Sequence, residues 1–419
     1  MRTGPCGKPP PRPSASLRSS FAWTLAGNGF YAAAQWAILS LLAKLGGSEM
    51  LGQYALAVAL VTPLVMLSHL NLRAVLATDV DGRQPFGDYL AVRLGVSGLS
   101  LVGIAILALA SGHAGLAAAI LVTGMAQSSE TVSDIYYGAM QRRDEMGLIA
   151  RSMIARGLVS VCAFGVALYV LRDLVWALAA MAAGRVALLL AYDRPRGAAG
   201  ESRARSGLRA EVSILRAAMP LGVMLLLVSL NTNLPRYAIE RFLGMGELGA
   251  FAAVASFMTV GSTVVNALGQ AATPLLARHF SRRESRPFLR LTFLLAAFVC
   301  ALGVAGVLVA AAFGETVLRV VYRPEYAARG GLLVAVMGAA IPSYIAAALG
   351  YAITAARAFD AQVPLFCVVA ASCGAASWLL VPRFGLRGAA VSLAIAASVQ
   401  IGGEALILAR AMRRIEAAG

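Results

Sequence analysis

The chain has 419 residues, of which 59% are hydrophobic and 13% are charged, and its formal net charge is +16. A soluble domain carries about 25% charged residues, so the composition excludes an ordinary soluble protein and indicates a membrane protein. The surplus of Lys and Arg would also suit a nucleic-acid-binding protein, and the positions of the basic residues along the chain decide between these two interpretations.

The predicted elements begin with a Pro-rich, basic segment, residues 1–19, which we expect to be a cytoplasmic tail without a signal-peptide cleavage site. Twelve mainly apolar segments follow, and each is close to or above the roughly 20 residues with which a helix crosses a bilayer. They are residues 20–43, 51–77, 90–110, 114–139, 150–171, 174–192, 214–240, 247–276, 288–312, 330–355, 361–381 and 386–409. Because these segments lack strand-like alternation, we predict an all-α integral membrane protein with 12 transmembrane helices.

The basic residues are distributed unevenly between the two ends of these helices. If the N-terminus is cytoplasmic, 26 of the 36 Lys and Arg residues lie on the cytoplasmic side of the membrane. This asymmetry is typical of multi-pass membrane proteins, and it predicts that both termini lie in the cytoplasm. It also explains the net charge without a nucleic-acid partner.

Polar side chains recur at helical spacing in the first, fourth, seventh and eighth predicted helices. The four sets are Thr24, Asn28, Tyr31 and Gln35; Gln127, Glu130, Asp134, Tyr137 and Gln141; Ser229, Asn233, Arg236 and Glu240; and Ser256, Thr259, Thr263, Asn266, Gln270 and Thr273. Steps of three and four residues place each set on one face of its helix. Such faces either form hydrogen bonds between helices or line a water-filled cavity, and the charged members favour a central cavity.

Several of these residues are candidates for a substrate site. We expect six of them, Arg236, Asn28, Gln35, Asn233, Asn266 and Gln270, to line the cavity or bind substrate, together with Arg73 on the second predicted helix. Arginine offers paired donors to phosphate oxygens, so Arg73 and Arg236 suit a substrate that contains phosphate. Arg236 could instead be neutralised by Glu240, which lies four residues further along the helix.

Three carboxylates, Glu130, Asp134 and Glu240, are assigned to gating or ion coupling. A charge at the centre of a membrane helix costs roughly 2.5–3.5 kcal/mol, so Glu130 and Asp134 need partners. The candidate partners are Arg73, Arg93, Arg156 and Arg185. A static ion-pair cluster is the alternative to gating, and Arg93 and Arg156 could instead extend to the membrane interface.

Motifs for enzymatic chemistry are missing from the sequence. It contains no Walker loop, no HExxH and no GxSxG, and its three His residues share no metal-ligand spacing. We therefore expect no catalytic residue, no metal and no cofactor, and a protein that is not an enzyme. Four of the five Cys residues lie in apolar segments, where reduced thiols are usual.

An internal repeat appears when the chain is shifted by 197 residues. The stretches KLGGSEMLGQYALAVA and RFLGMGELGAFAAVAS then align, with Gly52 on Gly249. Chance similarity between Gly- and Ala-rich hairpins is the alternative, but a parallel repeat of six helices is typical of transporters. We predict two six-helix lobes around the central cavity, an N-lobe at 20–192 and a C-lobe at 214–410. A cytoplasmic linker at 193–213 joins them, and a second tail covers 411–419.

Four stretches carry a resemblance to a known family. NLPRYAIERFLGMGELGAFAAVASFMTVGSTVVNALGQAATPLLARHF resembles the second-lobe hairpin of bacterial polysaccharide flippases, and LGQYALAVALVTPLVMLSHLNLRAVLATDV resembles their first-lobe hairpin. ETVSDIYYGAMQRRDEMGLIARSMIARGLVSV is similar to their fourth and fifth helices, and VPRFGLRGAAVSLAIA to the turn before their last helix. These flippases belong to the multidrug/oligosaccharidyl-lipid/polysaccharide exporter superfamily.

The resemblance implies a V-shaped transporter in the bacterial inner membrane. It implies movement of an undecaprenyl-diphosphate-linked oligosaccharide from the cytoplasmic to the periplasmic leaflet by alternating access. The product would enter O-antigen, capsule or exopolysaccharide synthesis. The implied partners are the lipid-linked oligosaccharide, the bilayer, and the polymerase and chain-length proteins of polysaccharide assembly.

Three other functions remain open at the level of sequence. A cation-coupled drug exporter of the same superfamily would have the same fold, but we expect carboxylates to dominate its cavity. A lipid II-type flippase usually has helices beyond twelve. A membrane enzyme of polysaccharide assembly would resemble proteins with a large periplasmic loop, and the longest such loop here is only about 314–329.

Overall fold

The computed structural model describes residues 17–78, 84–202, 204–356, 358 and 361–417, and within these ranges the chain forms helices and no strand. Residues 1–16 of the predicted N-terminal tail lie outside the described residues. The first half contains α1 (Leu17–Leu45), α2 (Gly47–His69), α3 (Leu72–Thr78), α4 (Phe86–Ala110), α5 (Ala114–Arg142), α6 (Met146–Leu171), α7 (Leu174–Leu188) and α8 (Arg194–Gly197). The second half contains α9 (Leu208–Leu243), α10 (Met245–Ser281), α11 (Ser285–Val321), α12 (Gly330–Ala355), α13 (Gln362–Phe384) and α14 (Leu386–Ala417).

Twelve of these helices are long, and they correspond in order to the 12 predicted segments. Within the described part of the chain, ten helices are long and apolar enough to cross a membrane by length and composition. The two long helices outside this set are α1 and α5, because polar side chains interrupt their apolar surfaces. Helices α1 and α5, which are less apolar than the other ten, are thus two of the four helices that carry polar faces.

The long helices form two lobes of six, as predicted. In the first lobe, α6 packs on α1 and α7, and α5 packs on α4 and α7. In the second lobe, α12 packs on α11 and α14, and α13 packs on α9 and α14. Helix α2 contacts both α9 and α10, and so joins the two lobes.

Two glycines form the tightest crossing between the lobes, where α2 meets α10. A Cβ atom added to Gly52 would lie 1.9 Å from the carbonyl oxygen of Met245, and one added to Gly249 would lie 1.8 Å from that of Ser48. Real side chains do not fit at such distances, so the backbones touch. The 197-residue repeat aligns these two glycines with each other.

The connection between the lobes is attached to the first lobe. The backbone N–H of Ser206 donates to the Asp88 carboxylate on α4 at 2.9 Å. Glu201 forms ion pairs with Arg142 and Arg143 at the end of α5, and its side chain is 7% exposed. The chain therefore enters α9 from a segment fixed to the first lobe.

Candidate functional site

A cavity of about 880 Å³ lies between the lobes. Helices α1, α2, α3, α5, α6 and α7 form most of its wall, and α9 and α10 of the second lobe complete it. The charged and basic side chains that line it are His69, Arg73, Glu130, Asp134, Arg156, Arg185 and Arg236. The sequence predicted a central cavity from the polar faces of α1, α5, α9 and α10, and each of these helices contributes to the wall.

The cavity is closed at one end. The crossing of Gly52 and Gly249 lies at this end, and the Arg323 guanidinium of the second lobe donates from Nε to the Lys44 carbonyl of the first lobe at 2.8 Å. Towards the opposite end, the side chains of Asn28 on α1 and Gln270 on α10 are exposed, while α9 stays packed on the end of α2, where a Cβ atom added to Gly222 would lie 2.7 Å from the Leu67 carbonyl oxygen. In the predicted topology, the closed end is periplasmic and the open end is cytoplasmic.

Asp134 lies in a cluster of basic groups on the open side of the cavity. Leu70 and Asn71 adopt left-handed backbone angles, with φ near 50°, and this turn ends α2 and starts α3. The Arg73 guanidinium on α3 then lies 3.3 Å from the Asp134 carboxylate and donates from Nε to Gln141 at 2.9 Å. His69 Nε2 lies 3.2 Å from the other Asp134 oxygen.

Glu130 has different partners, one helical turn away on α5. The Tyr31 hydroxyl donates to the Glu130 carboxylate at 2.7 Å, and Gln35 Nε2 donates to Tyr31 at 2.6 Å. Arg185 lies 3.4 Å from the same carboxylate, and its Nε donates to Ser160 at 2.9 Å. Glu130 therefore links the polar face of α1 to α7.

Arg156 is paired with a residue that the sequence analysis did not select. Its guanidinium donates to Asp193 at 2.9 Å, and both side chains are almost fully buried, at 2% and 0% exposed. Asp193 also accepts a hydrogen bond from Ser152. We assigned Asp193 to the linker, but it ends a π-helical extension of α7 (Leu189–Asp193). Its position directly after an apolar segment is a signal that could have identified it.

Two expectations about arginines are wrong. Arg93 and Arg156 do not extend to the membrane interface, since Arg93 is 0% exposed and Arg156 is 2% exposed. Arg93 donates to the Ser68 carbonyl at 3.0 Å, and forms no ion pair with Glu130 or Asp134 among the described residues. Arg93 is therefore bound by a backbone carbonyl near the end of α2 and not by one of the two carboxylates that were candidate partners.

Arg236 differs from the other arginines of the cavity. Arg73, Arg156 and Arg185 each have a carboxylate partner, but no carboxylate in the described part of the chain lies within 4.0 Å of Arg236. The alternative in which Glu240 neutralises it is therefore not observed. Arg236 Nη1 donates to Asn233 Oδ1 at 3.1 Å. Since a guanidinium has five N–H donors, most of its donors remain for a ligand in the cavity.

The remaining predicted residues lie around the cavity or outside it. Gln35 lines it, whereas Asn233 is buried behind Arg236. Asn266 accepts a hydrogen bond from Tyr351 on α12 at 3.2 Å, beyond the cavity wall. Asn28, Gln270 and Glu240 are also outside the wall. His69 lines the cavity and was missed, because a single His carries no motif.

The comparisons with known proteins agree with this architecture. A family model described as polysaccharide biosynthesis protein matches residues 17–280. The chain belongs to this family. It is 23% identical to the capsular polysaccharide biosynthesis protein CapF of Staphylococcus aureus, over 91% of this chain and 96% of that protein.

Solved structures of transporters share the fold. The lipid II flippase MurJ in an inward closed conformation superposes with a TM-score of 0.73 at 11% identity, covering 94% of this chain and 89% of that one. An inward-facing multidrug resistance transporter of the MATE family superposes with a TM-score of 0.67 at 13% identity, covering 95% of both chains. This polysaccharide biosynthesis family member is therefore a multi-pass membrane protein with the fold of MOP-superfamily transporters.

Proposed function

We propose that the protein is a flippase for an undecaprenyl-diphosphate-linked oligosaccharide. It moves this lipid from the cytoplasmic to the periplasmic leaflet of the bacterial inner membrane by alternating access. The oligosaccharide then enters O-antigen, capsule or exopolysaccharide synthesis, where a polymerase and chain-length proteins are its next partners.

The observation that carries the proposal is the unpaired Arg236 in the cavity. A diphosphate is a strong acceptor, and a guanidinium binds phosphate oxygens through paired N–H donors. Arg73, on the other lobe, uses Nε for Gln141 and Nη1 for Asp134, which leaves Nη2 for a ligand. The two arginines therefore offer anion-binding donors from both sides of the cavity.

The rest of the wall suits a sugar attached to a lipid. Tyr31, Gln35 and Gln127 supply hydroxyl and amide groups for sugar hydroxyls, and Trp36 and Tyr54 supply aromatic surfaces. Apolar residues of α10 such as Val260 and Val264 line the cavity and are also exposed, at 49% and 43%. They provide a surface along which a polyprenyl chain stays in the lipid.

The charge of the cavity supports this substrate over an organic cation. Four arginines face the cavity but only two carboxylates, and both carboxylates are already paired with arginines. A drug exporter for cations would need free negative charge at this position. MurJ and the multidrug transporters share the fold, so the contents of the cavity distinguish these functions.

A flipping assay in liposomes tests the proposal. Purified protein is reconstituted with a defined undecaprenyl-diphosphate oligosaccharide, and its arrival in the outer leaflet is measured with a membrane-impermeant glycosidase or lectin. We expect Arg236→Ala to slow flipping about tenfold or more, because a hydrogen bond to a charged group contributes about 1.5–3 kcal/mol. Arg73→Ala and Arg73→Lys should also slow it, since Lys cannot form the paired contact.

Arg241→Ala is the matched control for Arg236→Ala. Arg241 lies on the same helix and is exposed outside the cavity, so its loss should leave flipping unchanged. Wild-type liposomes that do not flip the lipid, or an Arg236→Ala variant that flips it at the normal rate, would contradict the proposal.

A further inference from the structure

A buried carboxylic acid lies in the second lobe, outside the cavity. Glu404 on α14 is 1% exposed. Gln400 Nε2 donates to its Oε1 at 2.9 Å, whereas its Oε2 is buried without a hydrogen-bond partner. The carboxyl group faces α12, where a Cβ atom added to Gly350 would lie 3.4 Å from Oε1. The absence of a side chain at Gly350 makes room for it.

Within the described part of the chain, no positive charge is paired with Glu404. Among the described residues Glu404 forms no ion pair. The titratable groups of the helices packed against α14 either bind other residues or form no contact with Glu404. Tyr344 and Tyr351 on α12 donate to Met258 and Asn266 of α10, and Cys373 on α13 donates to Asn231 of α9. None of the other described titratable side chains on α9, α11, α13 and α14 forms a hydrogen bond or an ion pair with Glu404. These side chains are Arg209, Glu211, Arg216, Arg236, Tyr237, Glu240, Arg241, Arg286, Arg290, Cys300, Glu315, Arg319, Cys367, Arg383, Arg387, Arg410 and Arg413.

An ionised carboxylate in this position would be both desolvated and without a counter-charge. Such a group is neutralised by binding a proton, because burying an isolated charge is far more costly than burying a neutral acid. A proton on Oε2 would also give this oxygen a hydrogen to donate. We propose that Glu404 is a proton-binding site of the second lobe.

The surroundings favour a proton over a metal ion. The described residues contain no group of three or more His, Cys, Asp or Glu side chains that could hold a metal. On α13, Gln362 is 3% exposed and has an unpartnered Oε1. Leu365, one turn after Gln362, lies against Gly403, so both unpartnered oxygens are at the same end of this helix pair. In the predicted topology this end is cytoplasmic, so the proposed exchange of the proton is with water on that side of the membrane.

The site gives the proposed flippase a way to use a proton gradient, and this role rests on the proposed function. Glu404 takes up a proton from water and releases it to water, and its neutral and ionised forms differ in how well they tolerate burial among α12, α13 and α14. A conformational change that exposes α14 would therefore favour release. Only such a difference between states can couple a ligand to a conformational change.

Infrared spectroscopy of the purified protein tests the site without transport. The carbonyl stretch of a protonated carboxyl group is separate from the carboxylate bands. At neutral pH the wild type should show a protonated-carboxyl band that Glu404→Gln lacks and that the control Glu49→Gln, at an exposed position on α2, retains. Glu404→Asp should retain the band at a shifted frequency, because the shorter side chain changes the hydrogen bond with Gln400. Identical bands in the wild type and Glu404→Gln would overturn the proposal.

The coupling role is tested separately in the flipping liposomes. A pH gradient imposed in one direction and then in the other should change the wild-type flipping rate but not that of Glu404→Gln. If Glu404→Gln keeps the gradient response, the coupling role is wrong. If the wild type does not flip the lipid at all, the proposed function fails, while the infrared result still decides whether Glu404 binds a proton.

Discussion

At the scale of residues, Glu130 and Asp134 lie one turn apart on α5 but have different surroundings. Glu130 is held by Tyr31 and Arg185 within the first lobe. Asp134 is held by Arg73 on the short helix α3 and by His69 at the end of α2. Because α2 also contacts α9 and α10 of the second lobe, we expect the surroundings of Asp134 to respond when the lobes change their positions.

We predict that Asp134→Asn leaves the protein folded but reduces flipping and changes its pH dependence. Asparagine has nearly the same shape as aspartate and keeps an oxygen that can accept from Arg73, so we expect only a small loss of stability. His69 and Arg73 lie 3.2 and 3.3 Å from the Asp134 carboxylate, so the substitution removes both the titratable group of this cluster and the negative charge that its basic neighbours face. Flipping rates over a pH series and thermal unfolding of the variant measure the two effects.

Glu49→Gln, at an exposed position on α2, is the control for the loss of one carboxylate. A static brace would give the opposite pattern: Asp134→Asn would unfold at a lower temperature and yield less protein, while the surviving molecules would flip lipid at the normal rate and pH optimum. Glu130→Gln, measured in parallel, shows whether the second carboxylate acts in the same way.

The sequence predicted the polar faces better than the pairs they form. Spacing places Glu130, Asp134 and Tyr137 on one side of α5, because a helix has a fixed period. It does not show which arginine meets which carboxylate, since that depends on the packing of α3, α6 and α7 against α5. Asp193 and Glu404 were missed because each is a single residue without a periodic pattern, and only the packing of neighbouring helices reveals that they are buried.

At the scale of elements, the crossing of α2 and α10 determines whether the closed end of the cavity stays closed. Neither Gly52 nor Gly249 has room for a Cβ atom. We predict that Gly249→Ala separates the lobes at this end, because overpacking costs typically ~1–3 kcal/mol. The equilibrium should then shift towards the state that is open on the periplasmic side.

A cysteine placed at Thr259, on the cavity wall, reports this shift in a background without native cysteines. Its labelling by an impermeant thiol reagent from the periplasm should increase in Gly249→Ala. Gly246→Ala is the matched control, since the nearest atom to a Cβ at that position is Ser48 Oγ at 3.9 Å. Equal labelling of both variants would show that the crossing does not control access.

At the scale of the whole molecule, the number of helices and their division into lobes followed from hydropathy and from the repeat. The side on which each helix end lies is a prediction from the basic residues. The structure adds that Ser48, at the lobe crossing, is only partly exposed, whereas the neighbouring Glu49 and the distant Ser281 are exposed. These two positions are therefore suitable for a topology test.

We predict that a cysteine at position 49 is labelled from the periplasm in intact cells and that one at position 281 is not. Glu49 begins α2 and Ser281 ends α10, so the two positions lie at opposite ends of the bundle. Labelling at position 281 but not at 49 would reverse the topology. After permeabilisation both cysteines should react, which controls for local burial.

The meeting of Gly52 with Gly249 has a consequence for how the two halves of the chain can change over evolutionary time. Residues that the repeat aligns touch each other there, as equivalent residues do across the axis of a symmetric dimer. This contact limits the size of the side chain at both positions in the same way, because the backbone of each helix lies against the backbone of the other. Away from this contact the two halves differ, since the first half carries the paired carboxylates Glu130 and Asp134 and the second carries Arg236, which has no carboxylate partner among the described residues.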